Sequence, residues 1–365
     1  VRGKAYLDFV AGVSAVSLGH SHPEVVTAVK QQAEKYMHVM VYGEFIQSPA
    51  LELCKALAKV LPEPLQTTYL VNSGTEAMEG AIKLARRITG RSELIAARNA
   101  YHGNTIGSLS LTDFEARKAP FRPLLPDIRH IEFNNTEALE AITSKTAAVI
   151  LETIQGGAGF ILPEADYLLQ VRRRCNEMGT LLILDEIQPG FGRTGTLFAF
   201  EQFDCVPDIL VMGKGMASGL PIGAFTASRA HMDTLQDPKL GHITTFGGNP
   251  VIAAGALATL KVLQQTNIIA DTLKKESLIR SLLVHPSISE IRGRGLMLAL
   301  IMESAEMADY LVLEAQKEGL LLFWLLFEPR AVRISPPLTI SEVELKQGCS
   351  LILRLLQRHD NIDVN

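Results

Sequence analysis

An α/β fold, with a mostly parallel sheet in the middle of the chain and a smaller α+β unit built from its two ends, follows from three observations. Short apolar runs alternate with helical stretches through the centre, these runs are apolar throughout, and the pattern changes character after Gly248. Strands joined through helices become parallel neighbours, and strands with no polar alternation are covered on both faces.

The apolar runs are Thr68–Asn72, Leu94–Arg98, Ala147–Leu151, Leu181–Leu184, Ile209–Gly213 and Ile222–Ala227, with helices predicted at Glu76–Arg87 and Ala165–Met178. Beyond Gly248 the pattern predicts one helix to about Gln265 and a second to about Leu283. A strand over Ile291–Ile301, a helix over Ser304–Glu318 and short strands at Leu320–Trp324 and Val332–Ser335 follow, and a helix over Ser341–Gln357 closes the chain. Ser341 with Glu344 three residues on has the form of a capping box, in which each side chain satisfies a backbone N–H near the other. The opening strand Tyr6–Phe9 and helix Pro23–Tyr36 are expected to pack with this C-terminal unit. The resulting division is 1–40 for the N-terminal part of the small unit, 41–255 for the large unit and 256–365 for the C-terminal small unit.

Composition narrows the function. The 365 residues are 47% hydrophobic, enough for a sizeable core, and 35 Lys+Arg against 39 Asp+Glu leave a net charge of −4. A broad nucleic-acid surface needs clustered excess cations and is not expected. No apolar run reaches the roughly 18 residues of a membrane span. Cys54, Cys175, Cys205 and Cys349 lie far apart and form no CxxC pair. Neither a disulfide framework nor a zinc site is expected, nor any other metal, and a reducing cytoplasm suits such a chain. The chain opens at Val1, inside a running motif, which leaves room for an upstream segment, a targeting peptide included.

Five chemically suggestive segments follow directly on predicted strands: Ser73-Gly74-Thr75, Tyr101-His102-Gly103, Glu152, Asp185-Glu186-Ile187-Gln188 and Lys214. In open α/β sheets ligands bind outside the carboxyl ends of the strands, so all five are expected at one edge. Ser73-Gly74-Thr75 opens a helix and offers backbone N–H groups and two hydroxyls to an anion, or serves as a plain N-cap. No GxxxxGK[ST] occurs, so the loop is not a P-loop. Lys214 ends a buried strand, where its charge is costly; it either snorkels to solvent or its amine is covalently engaged, as in a Schiff base. Asp185, ending Leu-Leu-Ile-Leu, is poised against a ligand. A metal role for Asp185-Glu186 lacks a His or Cys cluster, and His20-Ser21-His22 beside Pro23 reads as turn and cap. Tyr101 either stacks on a planar ring or belongs to the core. A lysine for a Schiff base and a carboxylate for a pyridine nitrogen are what pyridoxal 5′-phosphate (PLP) chemistry requires.

The sequence resembles the class III aminotransferases (ornithine, acetylornithine and 4-aminobutyrate branches) of PLP fold type I. The resemblance rests on Tyr-Leu-Asp-Phe at 6–9, Leu-Gly-His-Ser-His-Pro at 18–23, Asn-Ser-Gly-Thr-Glu-Ala at 72–77, Tyr-His-Gly at 101–103 and Glu-Thr-Ile-Gln-Gly at 152–156. The longest motif is Asp-Glu-Ile-Gln-Pro-Gly-Phe-Gly-Arg-Thr-Gly at 185–195, with Lys214 following; Thr-Thr-Phe-Gly-Gly-Asn-Pro at 244–250 and Val-Arg-Ile-Ser-Pro-Pro-Leu at 332–338 complete it. The resemblance implies catalytic roles for Lys214 and Asp185. It implies cofactor contacts from Ser73, Gly74, Thr75, Tyr101, His102, Asp185, Gln188, Lys214 and Thr245. It implies substrate contacts from Arg333, Asn104 and Thr244, and a homodimer in which Thr245 reaches the neighbouring subunit's phosphate.

Three positions depart from the family. Asn104 stands where an arginine usually follows the aromatic-His-Gly triplet, and Thr153 and Gly157 replace Pro and Glu of a Glu-Pro-Ile-Gln-Gly-Glu motif. Loss of that Glu leaves Arg333 permanently open, and loss of the arginine removes a cation from the far end of a long substrate. The expected activity is amino transfer from an amino acid to a 2-oxo acid such as 2-oxoglutarate, with donors that react beside their carboxylate preferred. The rival readings are a racemase or aminomutase on the same site, or a non-enzymatic PLP-fold binding protein.

Overall fold

The computed structural model describes residues 3–40, 45–164 and 166–363. Its strands, in chain order, are β1 (Leu7–Asp8), β2 (Thr67–Val71), β3 (Glu93–Ala97), β4 (Ile128–Ile131), β5 (Thr146–Glu152), β6 (Leu181–Asp185), β7 (Ile209–Met212), β8 (Gly223–Ala227), β9 (Ile288–Arg294), β10 (Met297–Met302), β11 (Leu320–Leu321), β12 (Phe323–Trp324) and β13 (Ala331–Ile334).

The seven-stranded sheet has the order β2-β8-β7-β6-β5-β3-β4. All neighbours are parallel except at β8, which runs antiparallel to both β2 and β7. The six expected runs are β2, β3, β5, β6, β7 and β8. Every residue of β5, β6, β7 and β8 is buried, which is why their sequences show no polar alternation. Because β8 alone is reversed, β2, β3, β5, β6 and β7 all end at the same edge. The seventh strand, β4, is an edge strand whose Ile-Arg-His-Ile is only partly buried, and composition alone did not distinguish it from a loop.

Helix Gly74–Thr89 shows how the sheet is covered. Ser73 caps its start, accepting from the Glu76 N–H at 3.3 Å, and Gly90, at φ 67°, stops it in the left-handed region. Its sheet-facing side carries Ala77, Met78, Gly80, Ala81, Leu84 and Ala85, all buried. Helix Tyr167–Met178 matches its expected end; the expected start at Ala165 lies outside the described residues. Helix Ser48–Val60, which packs against β2, was not anticipated from the sequence.

The smaller sheet, β12-β13-β10-β9, is antiparallel throughout. The run Ile291–Ile301 is not one strand. Gly295, at φ 61°, turns the chain so that β9 and β10 pair as a hairpin, with Arg294 opposite Met297. Leu320–Trp324 likewise splits. Its first half, β11, pairs in parallel with β1, joining the opening segment to the C-terminal unit as expected. Its second half, β12, pairs with β13. The opening helix, Pro23–Lys35, does not follow β1; it packs on Pro250–Gln265. That helix is apolar on several sides and also covers Ser48–Val60 and the turn at Lys214–Ala217. The boundary expected after residue 255 therefore falls inside a continuous helix. The capping box at Ser341 is formed: Ser341 N–H donates to Glu344 at 2.8 Å and Glu344 N–H to Ser341 at 3.2 Å.

Candidate active site

Asp185 ends β6 and sits at the centre of the carboxyl edge. His102 Nδ1 donates to its Oδ2 at 2.8 Å, and the Ile187 N–H donates to its Oδ1 at 3.0 Å. Both His102 and Asp185 are buried. Burial pulls the His102 pKa down, but the Asp185 hydrogen bond and the Asp185 and Glu152 charges outweigh it and leave it raised. The other ring nitrogen, Nε2, is buried without a partner.

Glu152 ends β5, one strand over. It accepts from the Tyr101 N–H at 3.2 Å and the Gly156 N–H at 3.0 Å. Burial pushes its pKa up to about 7, with His102 opposing and Asp185 assisting. Glu186 points away from the edge. It accepts from the Ala199 and Phe200 N–H groups at 2.9 and 2.8 Å, and so fastens the 199–203 turn.

Lys214 follows β7 at φ 41°, an unusual left-handed conformation for a residue with a side chain. Burial lowers its pKa; Arg333 lowers it further, while Asp185 and Glu152 oppose the shift. A depressed pKa favours the neutral, nucleophilic amine.

The anion loop lies beside β7. A Cβ at Gly74 would fall 2.7 Å from Ile187 Cδ1, so a larger residue would have to displace the Ile187 side chain for the loop to lie against the Asp185 segment. Thr75 Oγ1 bonds Thr105 and Ser108 hydroxyls at 2.7 and 2.6 Å, and Gly103, at φ 132°, passes so close that a Cβ would meet Thr75 Oγ1 at 2.2 Å. The Tyr101-His102-Gly103 segment is thereby tied to both the loop and Asp185. Tyr101 itself is half-buried, and the amide Nε2 of Gln188 is buried with no partner.

Arg333 lies on β13, 4% exposed, and enters from the smaller sheet. Its Cζ is 5.2 Å from the Phe160 ring centroid, and Nε and Nη1 have no partner. Burial lowers its pKa to about 10. Three further expected residues lie on the rim of this group. Thr244 Oγ1 accepts from Asn72 Nδ2 at 3.0 Å, which places it beside the anion loop rather than with Arg333. Thr245 is exposed on the same segment, and Asn104 is exposed beyond Gly103. Glu152, Ser108 and Phe160 join the site by contact; only the position of Glu152 at a strand end marked it in the sequence.

A depressed-pKa lysine, a buried carboxylate–histidine pair and an anion loop at the carboxyl edge of a mostly parallel sheet define a fold type I PLP enzyme. The chain belongs to the family Aminotransferase class-III, whose model matches residues 1–356. It is 39% identical over 351 residues to the acetylornithine aminotransferase of Methanopyrus kandleri, covering 95% of this chain and 88% of that one. It is also 39% identical over 364 residues to the acetylornithine aminotransferase of Mycobacterium tuberculosis, covering 98% and 89%. The ornithine aminotransferase of Toxoplasma gondii superposes with a TM-score of 0.92 at 31% identity, covering 99% of this chain and 88% of that one. In a second structure of that enzyme PLP partly occupies the active site. This chain is a PLP-dependent aminotransferase; the racemase, aminomutase and non-enzymatic readings gain no support from these relatives.

Proposed function

We propose that the site exchanges an amino group between an α-amino acid and 2-oxoglutarate, with Lys214 as covalent anchor and proton carrier and Arg333 as the grip on the α-carboxylate. PLP suits the residues present: His102 Nε2 and Gln188 Nε2 are buried and unpartnered, and Gly74 keeps the loop open. When bound, PLP supplies a carbonyl carbon to take the amino group and a ring to absorb the electron pair left when the donor loses its α-proton. Asp185 holds the ring nitrogen, and His102, bonded to it at 2.8 Å, fixes its orientation. Gly74, Thr75 and the helix start behind them hold the phosphate, and Ser73 keeps the cap that orders that start. Tyr101 would face the ring, and the unpartnered Gln188 amide would be available to its hydroxyl. Lys214, whose pKa burial lowers, would carry the α-proton between donor and product.

The observation that carries the substrate reading is Arg333, a buried guanidinium with two unpartnered nitrogens. Such a group is unfavourable until a carboxylate arrives, and the guanidinium fork suits a carboxylate bound through both oxygens. The relatives' names make N-acetylornithine the first additional donor to include. The test is a donor panel against 2-oxoglutarate and pyruvate, with detection of the new amino acid. Conversion of a donor with no dependence on the keto acid would sink the reading.

The exposed apolar surface supports a homodimer. Met37, Phe45, Ile46 and Phe246 are 68, 66, 83 and 56% exposed, and Phe45 and Ile46 line a groove of about 920 Å³ together with Thr244. A second copy is the occupant that would bury this apolar area and bring Thr245 to the neighbouring phosphate. Mixing inactive Lys214→Ala with an inactive Thr245→Ala protein should restore activity through hybrid dimers carrying one intact site. Proven subunit exchange with no recovery would argue for sites built within one chain. A cytoplasmic location agrees with four cysteines that are all free. Among the described residues no helix is long and apolar enough to cross a membrane.

A further inference from the structure

We infer that Arg117 selects substrates with a second carboxylate, holding that far carboxylate at the mouth of the site while Arg333 holds the near one. This rests on the roles proposed above for Lys214 and Arg333.

Gly157 and Asn104 suggested a site that had lost an anion and a cation. The structure shows what occupies the space. The Phe327 N–H donates to the Gly157 carbonyl at 2.9 Å, and Phe327 Cδ2 lies 2.9 Å from where any Cβ at position 157 would sit. Glycine at 157 thus admits Phe327 to the mouth. Phe327 pairs there with Phe114, ring centroids 5.9 Å apart. Arg117 Cζ lies 5.7 Å from the Phe114 centroid and 5.6 Å from that of Phe327. The two rings hold one guanidinium between them.

Arg117 is exposed, and its guanidinium stands by the turn that follows β5, where the Gly156 N–H donates to Glu152 at 3.0 Å and Gly157 meets Phe327. Its charge lowers the pKa of Tyr101, against the stronger upward push of burial. Among the described residues no carboxylate pairs with it, because the nearest in sequence, Glu115, is taken by Arg122 at 2.8 Å. A guanidinium held by ring faces keeps its N–H edge for another partner, and aromatic contact restrains a long side chain that would otherwise be mobile. The arrangement gives the site a second anion grip from a part of the chain outside the family motifs. It returns the cation that Asn104 removes, and a 2-oxo dicarboxylate has the two charges to meet both arginines.

The experiment compares kcat/KM of the holoenzyme for 2-oxoglutarate and for the monocarboxylic acceptors pyruvate and 2-oxobutyrate, with one common donor. Arg117→Ala should lower the value for 2-oxoglutarate roughly 10- to 100-fold, the loss of one hydrogen-bonded charge. The change should appear in KM with kcat nearly constant, since the contact is the same before and during reaction. The monocarboxylic acceptors should change by less than about twofold. Arg117→Lys should recover part of the loss, because lysine carries the charge without the planar fork. An equal fall for all acceptors would make Arg117 a general structural residue, and no fall for any would leave it outside the substrate path; either result overturns the inference. Wild-type protein that transaminates none of the acceptors would overturn the reading beneath it instead.

Discussion

Asp185 and Arg333 are both buried charges on strands, and the protein treats them in opposite ways. Each oxygen of Asp185 has a donor from the protein, His102 at 2.8 Å for one and the Ile187 N–H at 3.0 Å for the other. Arg333 has two nitrogens with no partner at all, and a ring beneath it. A charge with its own partners is held in one place and exerts a constant field on whatever is bound. A charge without them is unfavourable until a ligand pairs with it, and becomes unfavourable again when the ligand leaves. The first suits a resident cofactor; the second suits substrates that must be released twice per cycle. On the roles proposed above, the larger sheet supplies the fixed half of the site and the smaller sheet the half that exchanges.

The sharpest test of the fixed half is Lys214→Ala. Turnover should fall by about four decades, since both the covalent anchor and the proton carrier are lost. Borohydride should attach the cofactor to the Lys214 peptide of the wild type and to no peptide of the variant. A label on any other lysine would remove Lys214 from its role. Asp185→Asn should retain PLP but lose about three decades of turnover, because a pair worth roughly 4 kcal/mol at an effective dielectric near 20 is replaced by a neutral contact. Turnover near the wild-type value would make Asp185 a structural residue and erase the contrast with Arg333. In the exchanging half, Arg333→Ala should raise KM for α-amino donors by one to two decades, or about 1.5–3 kcal/mol, with PLP content unchanged. A variant that instead loses the cofactor would show that Arg333 belongs to the fixed half.

Glu152 sharpens the comparison through pH. Its folded pKa, about 7, lies above the ordinary carboxylate value of 4.5. The folded state therefore retains a proton that the unfolded state has already released. The stabilisation is complete below the unfolded value, declines as pH rises from there, and is lost above about 7. Glu152→Gln should flatten that part of the Tm-against-pH curve, by at most roughly 3 kcal/mol between its two ends. An unchanged curve would place the titration elsewhere, Glu186 being the other buried carboxyl pushed up to about 7.

Much of the fixed half was legible from the sequence, because strand ends and helix starts leave local marks. Leu-Leu-Ile-Leu before Asp185 and the serine before a helix at Gly74 place both groups without any tertiary information. The His102–Asp185 bond was not legible, since it joins two strand ends, nor was the hairpin at Gly295, which is flanked by strand-like sequence on both sides. The exchanging half left fewer marks. Arg333 was found by resemblance, but its unpartnered nitrogens depend on what packs around it. Gly157 read as a loss until Phe327 was seen to lie against it. Arg117 had no motif, because its placement comes from two rings far apart in the chain.

The left-handed backbone at Lys214, φ 41°, sets the working residue against the durability of the fold. Only glycine takes that conformation freely; other residues lose about 1 kcal/mol there. On the role proposed for Lys214, the residue most suited to the turn is thus one that would abolish the reaction. Lys214→Gly should melt higher than Lys214→Ala, both dead, with the alanine protein retaining the strain and the glycine protein free of it. Stability and activity make opposite demands at this one position, and a search for hardier variants that ignored turnover would discard the lysine.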